Sequence, residues 1–171
     1  MRYRLTLLAA AIAALLAATG ITGRLHAQEP QDVAPPAVRG SLTDAGLQQM
    51  LLDMGYEPRR LKQGYVVAIK QGEWVFNVQF LISPNREKVG LNANVGTVED
   101  PAAVTASQWM NVLASNTDIA PSFFYYNKAN KTLYVHRVLD NRCLTAGIMR
   151  QQVEAFTASI KDSAETWKFT K

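Results

Sequence analysis

The 171-residue chain contains one cysteine, Cys143, and two histidines, His26 and His136. A single cysteine closes no internal disulfide, and the inventory cannot assemble a multi-histidine metal site or a zinc site built on cysteine pairs. No Asp-rich calcium loop is present either; Glu99-Asp100 before Pro101 is a single acidic pair of the kind that caps a turn. Gly64, Gly90 and Gly96 are scattered, and none carries a strand into a helix at phosphate-loop spacing. One nucleophile and base pairing exists on paper, Cys143 with His136, but its only available orienting carboxylate is Asp140. The expectation is therefore no catalytic residue, no metal, no cofactor and no enzyme.

Long apolar runs are lacking too. Leu5 to Ala18 is shorter and richer in alanine than the roughly 20 strongly apolar residues that a membrane span needs. Preceded by Arg2 and Arg4 and followed by Leu25-His26-Ala27, it reads as a bacterial secretory signal over residues 1–27, cut before Gln28. The expected product is periplasmic or secreted, with no stable membrane insertion after cleavage. Cleavage takes Arg2, Arg4 and Arg24 from the eighteen basic residues, leaving fifteen against fourteen acids, so the net charge falls from +4 to +1. The basic pI belongs to the precursor, and a nucleic-acid partner is not expected. The cluster Arg59, Arg60 and Lys62 reads as a solvated turn.

What is present begins with a proline-rich stretch over 28–40, QEPQDVAPPAVRG, which lacks periodicity and reads as a flexible linker to one domain at 41–171. Thr43 and Asp44 open a helix carrying Leu47, Met50, Leu51 and Met54, closed by Gly55. Tyr65, Val67 and Ile69 alternate along a first strand that turns through Gln71-Gly72.

The organising piece follows, EWVFNVQFLISPNREKVGLNANVG from Glu73 to Gly96. At a period of two, Trp74, Phe76, Val78, Phe80 and Ile82 share one side of a strand, and Val89, Leu91, Ala93 and Val95 share one side of the next. Thr105 and Gln108 stand at capping-box spacing ahead of a short helix with Ala106, Trp109, Met110 and Leu113 on one stripe, ending near Ser115-Asn116. SFFYYN and TLYVHRVL form a second hairpin around Lys128 to Lys131, where Asn130 heads a formal glycosylation sequon read as turn chemistry. Phe123 and Tyr125 opposite Phe124 and Tyr126 leave two readings open, an interface or burial on both faces of the strand. From Thr145 a last helix carries Met149, Val153, Phe156, Ile160 and Trp167.

The expected fold is α+β, a five-stranded antiparallel sheet in the order α-β-β-β-α-β-β-α, with two long helices at the ends and a short one between. One face of the sheet is covered and the other partly open. The strings LTDAGLQQMLLDMGY, WMNVLASN, SFFYYNKANKTLYVHRVL and LTAGIMRQQVEAFTASIKDSAETW, in that order, resemble the YbjN-type family within the type III secretion chaperone-like fold. That resemblance covers about Leu42 to Phe169. It implies a non-enzymatic module that commonly forms homodimers and, in the chaperone branch, holds an extended client segment.

The expected function is thus an exported module binding a protein or peptide. Its candidate partner surface is the side of the sheet away from the helices, Val75, Asn77, Gln79, Asn92, Asn94, Tyr134 and His136. The alternative is a carrier for a small apolar ligand between sheet and helices, suggested by Met50, Met54, Met149 and Trp109.

Overall fold

The computed structural model describes residues 41–170; the expected signal (1–27) and linker (28–40) lie outside the described residues. The elements run α1 (Asp44–Asp53), β1 (Arg59–Arg60), β2 (Tyr65–Gln71), β3 (Trp74–Ile82), β4 (Lys88–Thr97), α2 (Ala106–Asp118), β5 (Phe123–Asn127), β6 (Thr132–Asp140), α3 (Ala146–Asp162) and α4 (Ala164–Trp167). All strand pairs are antiparallel in one sheet of order β1-β2-β3-β4-β6-β5. The class is α+β as expected, but the sheet has six strands, not five.

The extra strand is the pair of arginines read as a solvated turn. Arg59 and Arg60 pair with Val66 and Tyr65, and Leu61 N–H donates to Gly64 O at 3.1 Å to close the loop between them. Only glycine fits at 64: its φ is +71°, and a Cβ there would lie 1.9 Å from the Phe80 carbonyl oxygen. Two residues show no alternation, so periodicity could not reveal this strand.

Helix starts follow the sequence reading. Thr43 and Thr145 accept from the backbone N–H of Gly46 and Ile148, and Thr105 with Gln108 completes a capping box. Helix lengths do not follow it. The first helix has 10 residues and the middle one 13, so the middle helix is not the short one. The last helical stretch breaks at Ser163, whose hydroxyl donates back to the Ser159 and Ile160 carbonyls before α4 begins.

One sheet face is the core. Val67, Phe76, Val78, Phe80, Val89, Leu91, Ala93, Leu133 and Val135 are buried there beneath Leu47 and Leu51 of α1 and Met149, Val153, Phe156 and Ile160 of α3. Burying each large side chain stabilises the fold by about 1.5–3 kcal/mol. Trp74 departs from the expected buried row. It starts β3 near the margin of the helix cover, 40% exposed, stacked on Phe76 and edge-on to Trp167.

The expected stripe on α2 is turned. Trp109, Val112 and Ile119 pack inward, with Trp109 against the rings of Tyr126 and Phe169, whereas Met110 and Leu113 are 63% and 60% exposed. Each helical step rotates about 100°, so taking Met110 rather than Val112 as the companion of Trp109 swings the inferred face outward. The helix also continues past Asn116, and that side chain does something other than end it. Its Oδ1 accepts from Phe124 N–H at 2.6 Å, tying β5 to α2.

Candidate functional site

The face away from the helices is built by the same alternation that fills the core. Register places Val66, Gln79, Asn92, His136 and Phe123 in one row across β2, β3, β4, β6 and β5. In the neighbouring row Ala68 pairs with Asn77 on one side, and Asn94, Tyr134 and Tyr125 run together on the other. Val75, opposite Lys70, lies two positions before Asn77 on β3 and is 60% exposed. All seven residues named from the sequence therefore share one face.

Two residues belong with them that the sequence reading left unassigned. Phe123 and Tyr125, 41% and 36% exposed, point to this open side, while Phe124 and Tyr126 turn to the other. Burial on both faces of β5 is thereby excluded. The Tyr125 ring stacks on Tyr134 with centroids 5.2 Å apart and an interplanar angle of 13°, and His136 sits edge-on to Phe123 at 5.3 Å and to Tyr125 at 6.2 Å. Such ring pairs contribute about 0.5–1.5 kcal/mol beyond their burial. The signal that would have found Phe123 and Tyr125 is the pairing of β5 with β6, a contact that periodicity within one strand does not encode.

Hydrogen bonds fix the amides around this cluster. Tyr125 O–H donates to Asn92 Oδ1 at 3.1 Å, and Gly96 N–H donates to Asn94 Oδ1 at 2.8 Å. Asn130 Nδ2 donates to Tyr134 Oη at 2.7 Å, so the sequon asparagine reaches back over the hairpin it turns. At the far side Gln79 Nε2 donates to Gln63 O at 3.1 Å. Gly90 leaves room for the histidine, since a Cβ there would come within 3.0 Å of His136 Cε1.

Burial pushes the His136 imidazole below its usual pKa, a larger effect than the opposing hydrogen bond to the Leu91 backbone. Burial likewise raises Tyr125, against a smaller lowering by its bond to Asn92. Both groups are thus uncharged at neutral pH, and from β2 to β5 neither row holds a Lys, Arg, Asp or Glu. The charges of this face stand at its margins: Arg59 on the edge strand β1 opposite Val66, Lys70 on β2 and, past Gly90, a group in which Arg142 and Lys88 hold the Asp140 carboxyl well below its ordinary range.

That group also decides the nucleophilic pairing of Cys143 with His136. Asp140 is four strand positions from His136, about 13 Å at strand rise, and is engaged by Arg142. It does not orient the imidazole. Cys143 is exposed in the following loop at φ +59°. Among the described residues, no group of three His, Cys, Asp or Glu is placed to hold a metal ion. The four residues that suggested a ligand carrier are part of the packing: Met54 and Met149 are buried in the core, with Met50 and Trp109 against it.

One charge lies on the covered side. Arg137 is 3% exposed, donating from Nε to Ser122 Oγ at 2.8 Å and from Nη1 to the Gln152 carbonyl and side-chain oxygens at 3.3 and 3.2 Å, with its guanidinium 5.9 Å from the Phe156 ring centroid. Burial pushes its pKa down.

No protein-family model matches the chain, and no curated protein matches it either. Solved structures do. YbjN from E. coli is similar at a TM-score of 0.54 and 17% identity, over 72% of this chain and 93% of that one. SycH, a type III secretion chaperone of Yersinia pestis solved with a fragment of YscM2, gives a TM-score of 0.48 and 13% identity over 72% and 99%. The HopA1-SchA chaperone-effector complex gives 0.49 and 8% over 70% and 90%. At these identities the likeness concerns the path of the backbone and carries no residue roles across. In its architecture, then, the chain has a YbjN-like fold.

Proposed function

We propose that this chain is a non-enzymatic, exported binding module that takes a protein or peptide partner on the open face of its sheet, and that it works as a homodimer. The observation that carries the reading is the open face itself. It joins an aromatic cluster, Phe123, Tyr125, Tyr134 and His136, to a column of amides, Gln79, Asn92 and Asn94, without a charged residue among them. Aromatics are enriched and charges depleted at the centres of protein interfaces. Met110 and Leu113, one turn apart on the outer side of α2, supply a separate apolar patch for a second copy.

Three measurements test the parts separately. Capture from the host's extract by wild-type protein and by Asn92→Lys/Tyr134→Glu should lose a specific partner in the variant, whereas Lys161→Ala, away from this face, keeps it; capture indifferent to the face variant overturns the surface. Light scattering should give twice the chain mass for wild type and a monomer for Met110→Glu/Leu113→Lys. A monomeric wild type removes the dimer. N-terminal sequencing of protein from the producing cells should begin at Gln28, and a retained residue 1 removes export.

A further inference from the structure

Arg137 is a charge that the fold encloses without neutralising. Its side chain is nearly buried, yet no carboxylate among the described residues pairs with it. Burial is the one influence on its pKa, so no charged neighbour steadies or opposes the guanidinium. Arginine is almost never buried unless paired, because taking the ion out of water is costly. Nothing in the packing of β6 on α3 demands a cation at this place, since the groups that hold it are neutral oxygens and a ring.

The hydrogens of the guanidinium show where a counter-ion would sit. Nε–H is taken by Ser122 Oγ, and Nη1 donates to the backbone and side-chain oxygens of Gln152. Nη2 forms no hydrogen bond with the described residues. No enclosed side-chain nitrogen or oxygen among those residues lacks a hydrogen bond, so Nη2 keeps surface that an outside atom can reach. In the planar guanidinium this nitrogen shares one edge with Nε and the other with Nη1, which places Ser122 and Gln152 on its two flanks. Both flanking groups have hydrogens to give: Ser122 Oγ keeps its own after accepting from Nε, and Gln152 Nε2 donates to none of the described residues. Ser122 is buried and Gln152 half-buried, so the way in runs past α3.

We infer that Arg137, flanked by Ser122 and Gln152, is a receptor for a single carboxylate. A neutral carbonyl could accept the same hydrogens, but only an anion relieves the enclosed charge and makes the stronger, charge-assisted bond. One guanidinium with no second cation beside it balances one negative charge, and a phosphate dianion would be left half compensated in a nearly dry place. A chain terminus, an acidic side chain of a partner and a small organic acid share that chemistry. The receptor lies on the covered side of β6 and the partner surface proposed above on the other, so the two readings stand or fall separately.

The test is NMR of full-length protein titrated with sodium acetate, against sodium chloride at matched ionic strength and against acetamide. The reporters are the Arg137 side-chain Nε–H and the backbone amides of Ser122 and Gln152. Saturable shifts at all three are expected with acetate and none with chloride or acetamide. Arg137→Met, which keeps the volume, should abolish the shifts of the two backbone amides. Ser122→Ala should weaken acetate about tenfold, the worth of one hydrogen bond to a charged group. Acetate acting no better than chloride or acetamide overturns the inference, as do shifts that persist in Arg137→Met or tighter binding of inorganic phosphate than of acetate. Where a variant fails to fold, the wild-type comparison of acetate with chloride, acetamide and phosphate decides alone. Two peptides then assign the source, acetyl-trialanine with a free C-terminus and acetyl-Ala-Asp-Ala-amide. With the acetate result in hand, tighter binding of the first supports a chain terminus, of the second an acidic side chain, and of neither a small free acid.

Discussion

The two faces of the sheet come from the same strands and the same hydrogen bonds, and they differ in the side chains they carry and in what covers them. On the covered side, Val78, Phe80, Leu91, Val135 and their neighbours are buried under α1 and α3, and Arg137 is the one charged residue buried with them among the described residues. The open side carries amides, aromatics, Gly90 and Ala68 at the alternate positions of the same β-strands. Folding requires the first set, because apolar burial is the main favourable term. It does not require the second, so the clustering of four rings and neutral amides there is where function has freedom to act.

The sharpest way to break this comparison is to truncate one residue on each side. Phe80→Ala removes a side chain with no exposed surface and should cost about 3–5 kcal/mol in urea unfolding. Asn92→Ala, one position along in the partner strand from Phe80's opposite number Leu91, should stay within about 0.5–1 kcal/mol, the worth of its bond to Tyr125. Comparable losses at both sites would mean that the open face is structural after all.

A smaller effect is expected at Arg137, the exception on the covered face. No ion pair is formed by it among the described residues, and its guanidinium is held by neutral acceptors and the Phe156 ring. Arg137→Ala should cost about 2–3 kcal/mol through lost packing and the bonds left unmade at Ser122. Arg137→Met restores the volume without the charge, and its cost should be at most about 1 kcal/mol. If Met is as damaging as Ala, the charge itself is what the fold needs there, and the covered face is not defined by apolar burial alone.

The asymmetry between the faces also explains what the sequence made legible. Period-two alternation identifies β2, β3, β4 and β6 and sorts their residues by side, because burial of one face imposes the pattern. Threonine caps locate all three long helix starts for an equally local reason. What could not be read depends on contacts distant in the chain. Arg59-Arg60 becomes a strand only because Tyr65 and Val66 are free at the sheet edge. Asn141 resembles a turn residue, yet it is buried and holds Leu42 N–H, Leu42 O and Arg86 O together, joining the start of the domain to a hairpin loop. The inward side of α2 is chosen by Tyr126 and Phe169 meeting Trp109. For the candidate site, the amide column was visible along β3 and β4, whereas Phe123 and Tyr125 join it only through the β5 and β6 register.

The smallest expected effect is electrostatic and comes from the open face alone. His136 is the one histidine among the described residues, and its folded-state pKa lies below its unfolded value because burial between Phe123, Tyr125 and Gly90 penalises the imidazolium. Below the unfolded value of about 6.5 the unfolded chain binds a proton that the folded chain resists. Stability should therefore decline as pH falls from about 7.5 through 6.5, and level off only below the folded-state pKa of this group. In His136→Gln, which keeps a neutral polar side chain, the decline over that window should vanish, while a loss at lower pH persists because protonating Asp140 breaks its pairing with Arg142 and Lys88. Thermal unfolding at half-unit steps between pH 7.5 and 5.5 reads the difference. Identical profiles for wild type and variant would place His136 in water and remove the desolvation that makes this part of the open face neutral.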